Sequence, residues 1–251
     1  AALAAFGGLG WLAFGPDRVD RDALARTTIN QTLPTVECSW LKVVNVESGE
    51  DGTMIQMTGV AGSPGNAQSK ISQALTAAGL PAAAINFTDV ALIRPAGCSA
   101  LETYGKIRQT GPQQLSVTRR EFEREAQADG PPLALAALSV KPPDGKNFSL
   151  LGIEPNGNID IILADRAAFD EAVAADLVEK SPQGEYTVPF NMDHVGWSGL
   201  ILLTGDAAFE PAIVEPAVDA RGQDWQGNFV ATASERDWKA EMLWIRSVDK
   251  V

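Results

Sequence analysis

The stretch Asn147–Asp165, NFSLLGIEPNGNIDIILAD, decides how the second half of the chain folds. Two apolar runs, Phe148 to Ile153 and Ile159 to Leu163, flank Pro155, Asn156, Gly157 and Asn158. An Asn-Gly pair between apolar strands is the strongest short-range hairpin signal, because both residues tolerate the positive φ that a tight turn demands. The β character continues outward from this hairpin. Leu138 to Val140 precedes it across a Pro-Pro-Asp-Gly turn at Pro142 to Gly145, and Tyr186 to Phe190 and Leu200 to Thr204 follow it. Leu200–Thr204 is apolar on both faces, which places it inside a sheet. Ala167 to Val178 reads as a helix, and Pro211 and Pro216 bracket an extended piece. SERDWKAEMLWIRSVD at 234–249 reads as a helix, with Ser234 and Asp237 in capping-box spacing and a Trp238, Met242, Ile245 stripe. A strand is its second reading, from the alternation of Met242, Trp244 and Val248. Residues 138–251 are therefore expected to form a β-rich, sandwich-like module with a few helices.

Upstream, residues 36–110 read as a small β-β-α-β-α module. Leu41 to Val46 and Thr53 to Val60 are strands joined at Gly49, Asp51 and Gly52. The second strand sets Met54, Gln56 and Thr58 against Ile55, Met57 and Val60. A helix follows, with Ser63 as cap, Pro64 in its first turn, Ile71, Leu75 and Ala78 as its stripe, and Gly79 with Pro81 at its end. Ala84 to Arg94 is a third strand, and Cys98 to Gln109 a second helix with Leu101, Tyr104 and Ile107 inward. Between the modules, residues 111–137 carry Arg119 with Glu123 and Glu121 with Arg124 at helical offsets, so a solvated, charged helical linker is expected. Gly130, Pro131 and Pro132 then mark the boundary. The fold class is α+β.

The first sixteen residues, AALAAFGGLGWLAFGP, carry no charge. Residues 1–16 are read as a membrane anchor helix centred on Phe6, Trp11, Leu12 and Phe14, the tail of a span that starts before Ala1, since as a helix they reach only about 24 Å. A signal-peptide remnant and a buried or interfacial helix are the other readings. In the flank, Asp17, Asp20 and Asp22 alternate with Arg18, Arg21 and Arg26, so charge gives no orientation. Residues 17–35 are expected to be a polar linker with a short helical piece at Val19 to Thr28.

The 251 residues hold 20 Lys and Arg against 32 Asp and Glu, a net charge of −12 that repels phosphate backbones and excludes a nucleic-acid partner. Two cysteines and one histidine cannot make a structural zinc site. Cys38 precedes the first strand and Cys98 follows the third, so the two can be neighbours at one end of a sheet. That favours a bridge, which persists only outside the reducing cytosol, over a pair of buried thiols.

Asp193, His194 and Ser198 are the one close Ser, His and Asp set. Gly196–Leu200, GWSGL, has Leu200 where a nucleophile elbow needs Gly, so a hydrolase is the weakest of the functional readings. Asn156, Asn158 and Asp160 echo a calcium loop, yet Ile161 occupies the place of its turning Gly and no Glu closes it. No phosphate-binding glycine motif occurs, and neither cofactor nor metal is expected. The sequons at Asn30, Asn86 and Asn147 are of a length expected by chance. Trp197, Trp225, Trp238 and Trp244 have core packing as their first reading and a protein-binding surface as their second.

CSWLKV, MIQMTGVAGSPGNAQSKISQAL and the strand ending before Cys98 and Leu101 resemble the BON-like modules of proteobacterial membrane-anchored proteins, above all those that follow the single span of serine/threonine kinases. NFSLLGIEPNGNIDIILAD, EYTVPF and GLILLTGD are similar to a β-rich module of unassigned function that accompanies such kinases. The resemblance implies a non-catalytic extracytoplasmic region, anchored in the inner membrane with its body in the periplasm, that senses or binds a protein partner. It brings no catalytic residues, and a kinase domain would lie before Ala1. An accessory subunit docking on an integral membrane complex through its N-terminal helix is the alternative. No small-molecule ligand is specified by either.

Overall fold

A computed structural model describes residues 20–49, 52–80 and 83–250 of the chain. Strand β7 (Asn147–Ile153) and strand β8 (Ile159–Leu163) form the expected hairpin, with Glu154 and Asn158 as its last pair and Gly157 N–H donating back to the Glu154 carbonyl at 2.9 Å. Gly157 has φ +92°, and a Cβ there would lie 2.7 Å from the Ala96 carbonyl oxygen. The turn is thus pressed against the first module, and only glycine fits.

Two sheets stack around this hairpin. One has five strands in the order β5 (Glu121–Arg124), β12 (Lys239–Asp249), β11 (Gly196–Gly205), β7 and β8. The other has four: β4 (Leu115–Val117), β6 (Ala134–Val140), β10 (Tyr186–Met192) and β9 (Glu179–Lys180). Their facing sides enclose Leu138, Val140, Phe148, Leu150, Tyr186, Leu200 and Leu202, joined by Phe169 from helix α4 (Arg166–Ala174). Asp165 caps that helix by accepting from Ala168 N–H at 2.9 Å.

The opposite face of the five-stranded sheet is buried too. Leu151, Ile153, Ile201, Leu203, Met242 and Trp244 pack against α3 (Cys98–Gly105), α6 (Gln223–Glu235) and residues of the first module, including Trp40, Val60 and Ile93. This second core explains why β11 is apolar on both faces: Leu200 and Leu202 point one way, Ile201 and Leu203 the other.

The first module holds a three-stranded sheet in the order β1 (Ser39–Gly49), β2 (Gly52–Ala61) and β3 (Ala84–Leu92), antiparallel then parallel. Helices α1 (Arg21–Thr32) and α2 (Pro64–Ala77) cover one face through Ala25, Ile29, Ile71 and Leu75 on Leu41, Ile55 and Met57.

Several expectations are corrected. Residues 21–35 are not a linker. Asp20 caps α1 through Asp22 N–H and Ala23 N–H, and the buried Ala25 and Ile29 make it part of the first module's core. Residues 111–137 are not a charged helix either. β4 and β5 fill edges of the two sheets, and β5 pairs in parallel with β12. Phe122, the apolar residue among those charges, is buried, so sheet pairing outweighs the helical charge spacing. Gly130–Pro132 lie in a loop within the sandwich, closed by the pairing of Glu125 with Leu133. The C-terminal segment is a strand, because Ala240, Met242 and Trp244 face one core while Leu243 and Ile245 face the other. Pro211 opens the one-turn helix α5 (Pro211–Val214) in place of an extended piece. Ser63 makes no side-chain capping bond to α2. The apolar residues Phe6, Trp11, Leu12 and Phe14 lie outside the described residues, as do Asp51 and Pro81. Among the described residues no helix is long and apolar enough to cross a membrane.

Candidate functional site

A cleft of about 880 Å³ opens where the two modules meet. That lies within the size range of small-molecule pockets. Its walls are the end of α1 with the turn that follows it, the start of β1, the end of α3, and the segment 106–113; α6 and β12 contribute Gln226 and Glu241. The segment after α3 is held straight along the start of β12, with Ala240 N–H donating to the Ile107 carbonyl at 2.8 Å and Gln109 N–H donating to the Ala240 carbonyl at 2.7 Å. This backbone bridge fixes where the Arg108 side chain stands.

Arg108 lies across the Trp40 indole, its guanidinium carbon 4.6 Å from the ring centroid, and donates through Nη2 to the Leu41 carbonyl at 2.6 Å. Burial pulls its pKa down to about 10, against an upward pull from Glu241. Glu241 is itself buried, and both its oxygens are engaged: Lys42 Nζ donates to one at 3.3 Å and Gln114 N–H to the other at 2.7 Å. Arg26, Asn30, Glu37, Glu102 and Lys106 also line the cleft, beside the apolar Leu33, Val36 and Leu101.

Cys38 and Cys98 are joined in a disulfide, their Cα atoms 4.5 Å apart. The bridge ties the first residue of α3 to the chain just before β1, the two elements that wall the cleft. Gly62 makes room for it: its N–H donates to the Cys38 carbonyl at 2.8 Å, and a Cβ there would fall 2.6 Å from the Cys38 sulfur. Arg120 ties the modules together a second time. Its Nε donates to the Trp244 carbonyl at 3.2 Å, its Nη1 to the Asp89 carbonyl at 3.2 Å and to the Thr58 hydroxyl, and it lies 5.2 Å from the Trp197 ring centroid.

Trp197, Trp225, Trp238 and Trp244 do not form a surface. Trp225, Trp238 and Trp244 are buried in the core shared by the modules, and Trp197 packs half-buried at its margin, so of the two readings of these four it is the first, packing, that describes them, and the second, a protein-binding surface, does not. Trp40 lines the cleft instead.

Asp193, His194 and Ser198 do come together. His194 Nε2 is 2.9 Å from the Ser198 hydroxyl, and Nδ1 is 3.0 Å from the Asp193 carboxylate. Ser198, however, is 2% exposed and sits inside β11 opposite Ile245, not on an exposed elbow. The Ser247 hydroxyl donates to the His194 carbonyl, and Arg124 donates to the Asp193 carbonyl at 2.7 Å. With its serine sealed in the sandwich, the relay acts as a clasp on the β10–β11 turn. Asn156 accepts from the Asn158 N–H at 2.8 Å and so serves the hairpin turn. Among the described residues no cluster of His, Cys, Asp or Glu could hold a metal ion.

Sequence reasoning missed Arg108, Glu241 and α6. The i, i+4, i+8 spacing of Trp225, Phe229 and Ala233 was a signal for the helix. Nothing local marks Arg108, whose surroundings come from three distant segments. Compared with family models, with curated proteins and with solved structures, the chain matches none of them.

Proposed function

We propose that residues 20–250 form a non-catalytic binding region that takes a ligand in the cleft between its two modules, and that it works as the extracytoplasmic sensing part of a single-span membrane protein. The cleft carries this reading: its walls belong to both modules, so an occupant bridges them and biases how they sit together. The Cys38–Cys98 bridge supports an oxidising compartment, the periplasm in this reading, and the uncharged residues 1–16 support an anchor. The likeness of residues 36–110 to BON-like modules agrees with a binding role.

Hydrogen exchange tests the site. Incubation with the low-molecular-weight fraction of a periplasmic extract is expected to slow exchange in residues 36–43 and 101–113 and to leave the outer face of the four-stranded sheet unchanged. Protection confined to that outer face, or none in the cleft, overturns the reading. Fractionation with thiol alkylation tests the compartment: both cysteines alkylated in a soluble cytosolic pool would contradict it.

A further inference from the structure

Arg108 is the one cleft cation that is both substantially desolvated and only partly bonded. A guanidinium has five N–H donors in a planar fork. Here one nitrogen is engaged by the Leu41 carbonyl, and one face rests on Trp40. Among the described residues Nε and Nη1 have no acceptor, and Leu41 takes one of the two Nη2 hydrogens, so one fork of Nη2 with Nε or with Nη1 remains for an occupant of the cleft that Arg108 lines. The buried Glu241 is bonded to Lys42 and to the Gln114 N–H, and not to Arg108. Stacking on the indole fixes the plane of the fork while leaving that edge free; the paired oxygens of a carboxylate or a phosphate match it, and the apolar residues beside it favour a carboxylate carried on an apolar body.

The charges around it agree. In a chain of net charge −12, the cleft is lined by Arg26, Lys42, Lys106 and Arg108 against Glu37, Glu102 and Glu241. Once Lys42 and Glu241 are paired with each other, three cations face two carboxylates. Beside them Leu33, Pro34, Val36, Val43 and Leu101 give an apolar wall.

From this we infer that the cleft binds a small carboxylic acid with an apolar body, its carboxylate on the free edge of Arg108 and its body against the wall formed by Leu33, Val36 and Leu101. The inference rests on the binding role proposed above and adds the chemical class of the ligand.

Calorimetric titration with benzoate and hexanoate tests it, with benzamide and inorganic phosphate as controls. Both acids are expected to bind, benzamide and phosphate at least about tenfold more weakly, and Arg108→Gln to lose about tenfold or more in affinity for the acids. Arg108→Lys is expected to recover only part of that loss, since it restores charge without the fork. If Arg108→Gln does not fold, Lys106→Gln at the exposed rim takes its place, with a loss of roughly two- to threefold, of the size an exposed charge contributes. Benzamide binding as well as benzoate, phosphate binding better than either acid, or unchanged affinity in the variant that folds overturns the inference. No heat with either acid at roughly 10 mM, a level at which even very weak sites fill, overturns it too. If the extract protects the cleft while the acids fail, the ligand class falls and the binding role stands; if neither acts on the cleft, both fall.

Discussion

The two cores that share the five-stranded sheet are built differently. On one side, between the sheets, Phe169 packs edge to face on Phe148 and Tyr186, which are tilted against each other, with centroids 4.8 to 5.7 Å apart among aliphatic residues. On the other, three tryptophans of the sandwich meet the first module, and Arg108, Arg120, Arg221 and Glu241 are threaded through the margins of the contact. The closed core is built of apolar residues, with Ser198 and Ser247 at one end. The shared one sacrifices apolar burial to hold charged groups in fixed positions, and the cleft lies at its edge. Polar groups held in place beside a cavity are the mark of a site, whereas a uniformly apolar interior is not.

The largest effect is expected in the closed core. Phe148→Ala removes the centre of the aromatic trio and should destabilise the protein by about 3–5 kcal/mol in chemical denaturation, with loss of β-sheet signal from the whole chain. A change below about 1 kcal/mol would show that the sandwich core is less tightly packed than described.

Next comes the bridge. Cys38 and Cys98 are 60 positions apart, and opening a loop of that size lowers stability by roughly 4 kcal/mol in the chain-entropy view. A Cys38→Ser, Cys98→Ser double variant should show that loss, and its fastest gain in hydrogen exchange should appear in α3, the wall of the cleft. Loosening of the sandwich before α3 would break the contrast drawn between the two cores.

Arg120 probes the seam between modules. Arg120→Met keeps the apolar stem but leaves the Trp244 and Asp89 carbonyls without their donor, for an expected loss of about 2 kcal/mol, read from the denaturation midpoint. A neutral outcome would mean that the seam is held by apolar packing alone.

How much of this was legible in the chain follows from the range of the forces involved. The Asn156-Gly157 hairpin, α2 with Pro64 and Gly79, the Cys38 and Cys98 neighbourhood and the doubly buried Leu200–Thr204 all rest on local pattern, and the structure has each of them. The segments 115–124 and 239–249 did not declare themselves, because partners far along the chain decide them. Glu121–Arg124 becomes a strand on meeting Arg246–Asp249, and β12 is a strand because two cores claim its alternate residues. The site was the least legible part. Trp40, Arg108 and Glu241 are brought together only when the modules close, and a lone arginine after a helix has no sequence signature.

The smallest effect belongs to the solvent-facing ion pairs. Hydrogen bonds from Lys180, Arg236 and Lys239 hold the carboxyls of Asp170, Glu210 and Asp237, respectively, below their usual range. The folded chain therefore binds fewer protons than the unfolded one near pH 4. This stabilisation is complete above the ordinary carboxylate pKa of about 4 and is lost as the pH falls through the lower folded values. Added salt should flatten that slope. A slope of opposite sign, with stability rising on acidification, would contradict the pairing.

Native-state hydrogen exchange in rising denaturant examines most directly whether the modules are joined by one core. Amides of β2, around Ile55 and Met57, and of β11, around Ile201 and Leu203, are expected to open at the same denaturant concentration and with the same free energy, because Trp40 and Val60 are packed with Ile201 and Trp244. Opening of β2 in a separate, earlier step while β11 stays protected would show two independent bodies, and the cleft between them would lose its fixed walls.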